Sequence, residues 1–329
     1  MNVNDKILNN KGEIEKNRAL AFFKENAVTT GFSMGLAGQK PTISSDPVHE
    51  RCDKFTGQGK DQPIRSGSFD AQVIQFNFDK DTKGEVGITR AQKTDTNTVG
   101  AYYLPWGGMY VMSMKLPANP ESNLFITSGL VGCSVFASGS PGQPTVYHAG
   151  TEGKYTGNVA SFWKACITTA ARRGGLTNLS QLHGINKNHY LNDPHARRFE
   201  NWMKDSLQNK LQIQRVSPGG FVFGLRLYGD WQFYLQERLL VETVEFVKKT
   251  NGGPVVSKPY SQSQSKLING SLKTDKVTQT VKKGFIFKKS VEVEIGCNIV
   301  RVVAHPVSLR KFFPSGSFNT NLVEKWNIV

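Results

Sequence analysis

From Ser122 to Thr151 the chain runs for thirty residues without a single Asp, Glu, Lys or Arg, although its formal net charge is +15. A stretch with no fixed charge belongs inside something, either a protein core or a bilayer. Gly129, Gly132, Gly139, Pro141, Gly142 and Pro144 interrupt it, and a membrane helix does not tolerate that density of breakers. The run therefore reads as short buried strands joined by tight loops, with strands expected at Ser134–Ala137 and Thr145–Ala149. A chain of 329 residues with 38% apolar composition has the material for a core around such strands, since a chain this long buries roughly three quarters of its unfolded surface.

The flanking pattern extends this picture. Residues 12–27 suggest a short helix with Ala19, Phe22 and Phe23 on one side. Residues 28–69 are rich in Gly, Ser, Thr and Pro and read as an extended arm. From residue 70 the period becomes two: Ile74, Phe76 and Phe78 alternate with polar neighbours. Further strands are expected at 85–91 and 99–106, the latter turning at Gly107-Gly108 into a hairpin partner at 109–116. Val159, Phe162, Trp163, Cys166, Ile167 and Ala170 have helical spacing. Asn158 suits the N-cap, Arg172 and Arg173 the last turn, and Gly174 the C′ position. A second helix is expected from Asp193-Pro194, with Phe199, Trp202, Met203 and Leu207 on its apolar face. Strands return over 211–249, a polar surface loop over 250–273, and two last strands over 284–303. Runs of strands with a few helices predict an α+β fold centred on a β-sandwich. The expected division is an N-terminal helix and arm (1–69), a core (70–249) and a basic strand-rich extension packed on it (250–329).

Composition narrows the function classes. Cys52, Cys133, Cys166 and Cys297 are too few for a disulfide scaffold and contain no C-x-x-C pair. The first residues are polar, with no signal-peptide core. There is no Walker loop, no H-E-x-x-H, no G-x-S-x-G and no internal repeat. His183, His189 and His195 match no metal-ligand spacing, and no metal or cofactor is expected. Residues 251–329 hold 12 basic and 4 acidic residues. With the pairs Lys248-Lys249, Lys282-Lys283 and Lys288-Lys289 they suggest either a solvated face or a dock for an acidic protein or anionic surface. No motif for specific nucleic-acid recognition is present.

The chemistry is expected inside the charge-free run. If the strands at 134–137 and 145–149 pair as a hairpin, Cys133 meets His148 across their ends. A thiol becomes a competent nucleophile when a neighbouring imidazole takes its proton. The imidazole needs an orienting group, which Thr127 or a backbone carbonyl would supply. The Cys133 N–H, with another from the turn at Val131-Gly132, would stabilise an oxyanion. The alternative for Cys133 is an inert buried thiol, for Trp106 and Trp163 a place in the core, for Cys166 burial on its helix, and for Gln143 an ordinary turn.

Residues 99–163 resemble the lethal factor-like glutamine deamidase toxins of Burkholderia. The likeness lies in Leu104-Pro105-Trp106, in Leu130-x-Gly132-Cys133-x-Val135-Phe136-Ala137, in a Pro and then His148, and in Phe162-Trp163. The catalytic domains of cytotoxic necrotizing factor and dermonecrotic toxin are more distant and share Gly-Cys with a His at this spacing. The resemblance implies a mixed-sheet sandwich wrapped by helices and loops and a Cys133–His148–Thr127 triad. It further implies deamidation of a glutamine in a host protein, with Leu104 and Trp106 walling the site. The implied target is the DEAD-box helicase of translation initiation, or a Rho-family GTPase by the distant relatives; transamidation is the sister reaction. The chain would act as a monomeric effector delivered to a host cytosol. Val131 replaces the family's Ser. The loop between Cys133 and His148 is longer than in the lethal factor-like toxins and is expected to border the site. A basic binding module with an inert cysteine is the competing reading. Deletion of 250–329, if the core survives, is expected to weaken target engagement and its salt sensitivity more than thiol reactivity, and Cys133 is expected to label fastest with a thiol probe.

Overall fold

The computed structural model describes residues 2–30, 38–50, 55–56, 62–81, 85–150, 154–190, 212–249, 275–283, 287–314 and 319–321. Helix α1 (Lys16–Glu25) precedes β1 (Ala27–Thr30), β2 (Thr42–His49), β3 (Phe55–Thr56), β4 (Ile64–Phe69), β5 (Val73–Lys80) and β6 (Glu85–Arg90). Next come β7 (Val99–Leu104), β8 (Tyr110–Lys115), β9 (Leu124–Thr127), β10 (Ser134–Ser138), β11 (Thr145–Gly150) and β12 (Lys154–Tyr155). Helix α2 (Val159–Arg173), β13 (His183–Ile185) and the one-turn helix α3 (Lys187–Tyr190) follow. The chain closes with β14 (Gln212–Leu227), β15 (Asp230–Lys249), β16 (Asp275–Lys283), β17 (Phe287–Phe313) and β18 (Asn319–Asn321). The fold is mixed α+β, dominated by strands.

The chain divides into two units, one of residues 1–198, 217–239 and 304–329, the other of residues 199–216 and 240–303. In the first unit one sheet runs β1-β6-β5-β7-β9-β14-β15-β17, and a second runs β13-β10-β11-β8-β4-β2. Both are mixed, because β1–β6, β7–β9 and β4–β8 are parallel pairs among antiparallel ones.

Strand alternation sorts the side chains into three buried layers. On β7, Val99, Ala101 and Tyr103 join Phe22 and Phe23 of α1, along with Phe78, Phe221 and Phe223. Tyr102 and Leu104, the other face of β7, meet Met112, Met114, Val135, Ala137 and Val146 from the second sheet. The outer face of that sheet, with Phe136, Tyr147 and Ala149, packs on Phe162, Trp163, Cys166 and Ile167 of α2. The two sheets thus face each other, with a helix against each outer face.

Local signals explain α2 in full. Asn158 Oδ1 accepts from Ser161 N–H at 3.1 Å at the N-terminus. At the other end Gly175 N–H donates to Arg172 O and Leu176 N–H to Ala171 O, a Schellman closure. The left-handed residue is Gly175, at φ +94°, one position beyond the expected Gly174. Helix α1 is shorter than residues 12–27 because residues 7–15 fold back first: Leu8 bridges Ile14 and Glu15 caps the helix through Asn17 and Arg18 N–H.

Four other expectations change. Strands β7 and β8 are not a hairpin, since each pairs within a different sheet and residues 105–109 carry the chain between them. The expected arm supplies β1, β2, β3 and β4, and β4 lies inside the second sheet between β8 and β2. Cross-strand pairing there outweighs the weak propensity of a Gly/Ser-rich segment. In place of two strands over 284–303 there is the single long β17, which pairs with β16, ending before Gly284, and with β18. Finally, residues 250–329 are not one extension: Val307, Leu309, Phe312 and Phe313 are buried in the first unit, so their deletion would remove core. In the second unit β16 pairs antiparallel with β17, and the register sets Lys282 opposite Lys288. The helix expected from Asp193-Pro194, with Phe199, Trp202, Met203 and Leu207, and the loop over 250–273 lie outside the described residues.

Candidate active site

Strand β10 pairs with β11 in the expected hairpin, with Ser134 opposite Ala149 and Val135 opposite His148. One step back, Cys133 therefore faces Gly150. A Cβ placed on Gly150 would lie 2.5 Å from Cys133 Sγ, so the thiol rests directly on that glycine. In such a pair Cys133 and His148 are diagonal neighbours on one face, with Cα atoms about 7–8 Å apart and long side chains in reach. That face is the layer between the two sheets.

The turn that delivers Cys133 is tied down at nearly every residue. Ser128 N–H donates to Leu104 O at 3.4 Å, and its hydroxyl pairs with Tyr103 Oη at 2.7 Å. Gly129 N–H donates to Thr30 Oγ1 at 2.5 Å. Leu130 exchanges both backbone hydrogen bonds with Gly220, at 2.7 and 3.0 Å. Gly132 N–H donates to Tyr190 Oη at 2.9 Å, and Tyr190 Oη donates to Cys133 O at 2.7 Å. Only Val131 stands out, 69% exposed, and it marks the solvent side of the turn. Gly132 sits at φ +119°, a conformation that needs glycine.

Burial sets the protonation states. The Cys133 thiol is pushed up to about 12 by desolvation, with a backbone hydrogen bond at Val131 opposing the shift. His148 is fully buried, and the same cause lowers it to about 3, with the Leu104 carbonyl pulling the other way. Both shifts run opposite to those of a thiolate–imidazolium pair. The resting site therefore holds a neutral thiol beside a neutral imidazole. This changes the expected labelling order, since a shielded, protonated Cys133 reacts slowly with a thiol probe in the resting state.

Several predicted site residues take different parts. Thr127 is buried, and alternation on β9 puts it on the same face as Phe125, in the layer that holds His148. Its hydroxyl, however, donates to Ser128 O at 2.7 Å, and neither ring nitrogen of His148 completes a hydrogen bond of ordinary geometry. The Leu104 carbonyl lies near enough to oppose the lowering of His148 without completing a hydrogen bond to the ring. Leu104 thus meets the site through its main chain as well as its side chain. Trp106 is half-buried in the link between the sheets and joins none of the three buried clusters.

The Gly132 N–H is committed to Tyr190 and is not free for an oxyanion. The Cys133 N–H has no partner among the described residues. The loop between Cys133 and His148 does not border the site: it begins after Ser138, five strand residues or about 17 Å from Cys133. It is held instead by Trp231 N–H donating to Pro141 O at 2.8 Å. Gln143 is a turn residue bonded to Ser140 O.

Trp163 and Cys166 are core residues. His183 stacks edge-on to Phe313, and His189 Nδ1 accepts from Asn186 N–H. His305 lies within β17 rather than in a strand-ending loop. Cys52 and His195 lie outside the described residues.

Sequence reading missed Tyr190, Gly150 and Thr30. Gly150 was within reach, two residues past His148 on the same face. Tyr190 and Thr30 carry no local mark, because they reach the turn from 57 and 99 positions away. No protein-family model matches the chain, and no curated protein matches it.

Proposed function

We propose that this chain is a cysteine-dependent protein-glutamine deamidase acting on a host protein. The observation that carries the reading is the hairpin register that sets Cys133 and His148 on one shielded face, at the end of a turn held rigid by Leu104, Thr30, Gly220 and Tyr190. Preorganisation of this kind is what nucleophilic catalysis needs, since small displacements of the attacking atom are costly.

The neutral pair favours general-base activation over a standing ion pair. Cys133 Sγ attacks the glutamine carboxamide carbon as His148 takes the thiol proton. The Cys133 N–H supports the oxyanion. His148 returns the proton to the departing nitrogen, the C–N bond breaks, ammonia leaves and a thioester remains. Water then attacks, giving one proton to His148. The C–S bond breaks, Cys133 recovers its proton and glutamate is released. Exposed Val131 lies where a folded substrate would approach.

The resemblance to the lethal factor-like toxins makes the translation-initiation helicase the first target to test and Rho-family GTPases the second. The basic excess of residues 251–329, 12 basic against 4 acidic, favours an acidic docking partner. Mass spectrometry of treated host lysate tests the reading. Wild type should add about one dalton per converted glutamine and Cys133→Ser should not; persistence of the gain in the variant would sink the assignment. Incorporation of a primary amine in place of water would mark the transamidation branch.

A further inference from the structure

We infer that Tyr190 is the positioning residue that fixes the oxyanion donor of this site, an assignment that rests on Cys133 being the nucleophile. The phenol oxygen makes two bonds of opposite sense: it accepts from Gly132 N–H at 2.9 Å and donates to Cys133 O at 2.7 Å. These groups belong to the peptides on either side of the Gly132–Cys133 peptide. The unit between them carries the Cys133 N–H, the amide with no partner among the described residues. Pinning both flanking peptides to one oxygen sets the rotation of the middle one. Gly132 makes the tether necessary, because glycine at φ +119° is the residue with the widest backbone freedom.

Tyr190 is itself held. Its ring is 1% exposed and wedged against Gly220, where an added Cβ would meet the ring carbon at 3.3 Å. Gly220 in turn exchanges both backbone bonds with Leu130, so the tyrosine and the turn share one support. The turn that presents Tyr190 is closed by Asn186, whose side chain accepts from Asn188 N–H and whose carbonyl accepts from His189 N–H. Burial also keeps the phenol protonated, so its donor bond to Cys133 O persists at neutral pH.

The test compares two reactions of Cys133 in the full chain. Acylation by p-nitrophenyl acetate passes through a tetrahedral oxyanion; alkylation by iodoacetamide does not. Tyr190→Phe should slow acylation about 10- to 100-fold and change alkylation less than about twofold. Tyr190→Met, which also lacks the hydroxyl, gives the same reading if the phenylalanine variant does not fold. Equal slowing of both reactions would show that Tyr190 merely holds the thiol, and no change in either would show that it holds nothing; both outcomes overturn the assignment. A wild type that acylates no faster than Cys133→Ser would instead remove the nucleophile reading, and this assignment with it.

Discussion

Replacing Gly150 with alanine puts a methyl group against the thiol that the proposed chemistry uses. The new Cβ would lie 2.5 Å from Sγ and 3.4 Å from Cys133 Cβ. Favourable carbon contacts sit near 3.5–4.0 Å, so Sγ must retreat by about 1 Å. Overpacking of this kind costs about 1–3 kcal/mol, and a 1 Å misplacement of a reacting atom can cost about 100-fold in rate. Gly150 is not in the left-handed region, so the methyl contact rather than backbone strain carries the effect.

A double-mutant cycle by urea denaturation isolates that contact. Gly150→Ala should destabilise the wild-type background and cost clearly less in a Cys133→Ala background, where Sγ is gone. Gly87→Ala is the control, because a Cβ there meets only Asp79 O at 3.9 Å. In activity, Gly150→Ala should slow Cys133 acylation about 100-fold. Equal destabilisation in both backgrounds, or an unchanged acylation rate, would refute the placement of the thiol on Gly150.

The buried pair also shapes stability against pH. His148 falls from 6.5 to about 3 in the fold, so the unfolded chain binds the extra proton between those values. Stability should drop by on the order of a few kcal/mol as pH falls from about 6.5 to 3, and His148→Gln should flatten that limb in urea titrations. Cys133 rises from 9.0 to about 12, so the native state holds its proton longer and stability should fall as pH rises from 9 to 12. Cys133→Ala should remove the part of that limb that begins near pH 9 and leave the part owed to Tyr103 and Tyr234, which burial also raises to about 12. Phe313 is 1% exposed and lies 5.5 Å from the Phe233 ring, centroid to centroid. Phe313→Ala should cost about 3–5 kcal/mol in chemical denaturation, an effect a dispensable extension would not show.

Much of the site was legible because it is local. The hairpin that joins Cys133 to His148 spans few residues, carries no fixed charge, is buried on both faces and turns at Gly139 to Pro144. Its pairing therefore followed from the charge-free run and turn chemistry, and α2 followed from spacing and caps. Helical and strand periods are properties of neighbouring residues, so they survive without knowledge of the fold. Partner choice between strands is not such a property. The Gly107-Gly108 pair looked like a hairpin turn, yet β7 and β8 each find better-matched neighbours in separate sheets. Residues 28–69 looked like an arm because their strands are poor in β-formers, and they become strands where β6, β8 and β12 offer edges and where β2 pairs with β4.

The same division runs through the chemistry. The juxtaposition of Cys133 with His148 and the glycine turn could be read from residue types and spacing, while the reactive role proposed for the pair came from the resemblance. The protonation states could not, since desolvation of Cys133 and His148 depends on two sheets closing over them. Nor could the assignment of the turn's amides, because Tyr190, Thr30, Gly220 and the Leu104 carbonyl reach it from distant strands and helices. Short-range order is written in the pattern of neighbouring side chains. Burial and long-range hydrogen bonding exist only once the chain has closed its loops, and here they decide which N–H remains for an oxyanion and which groups carry charge.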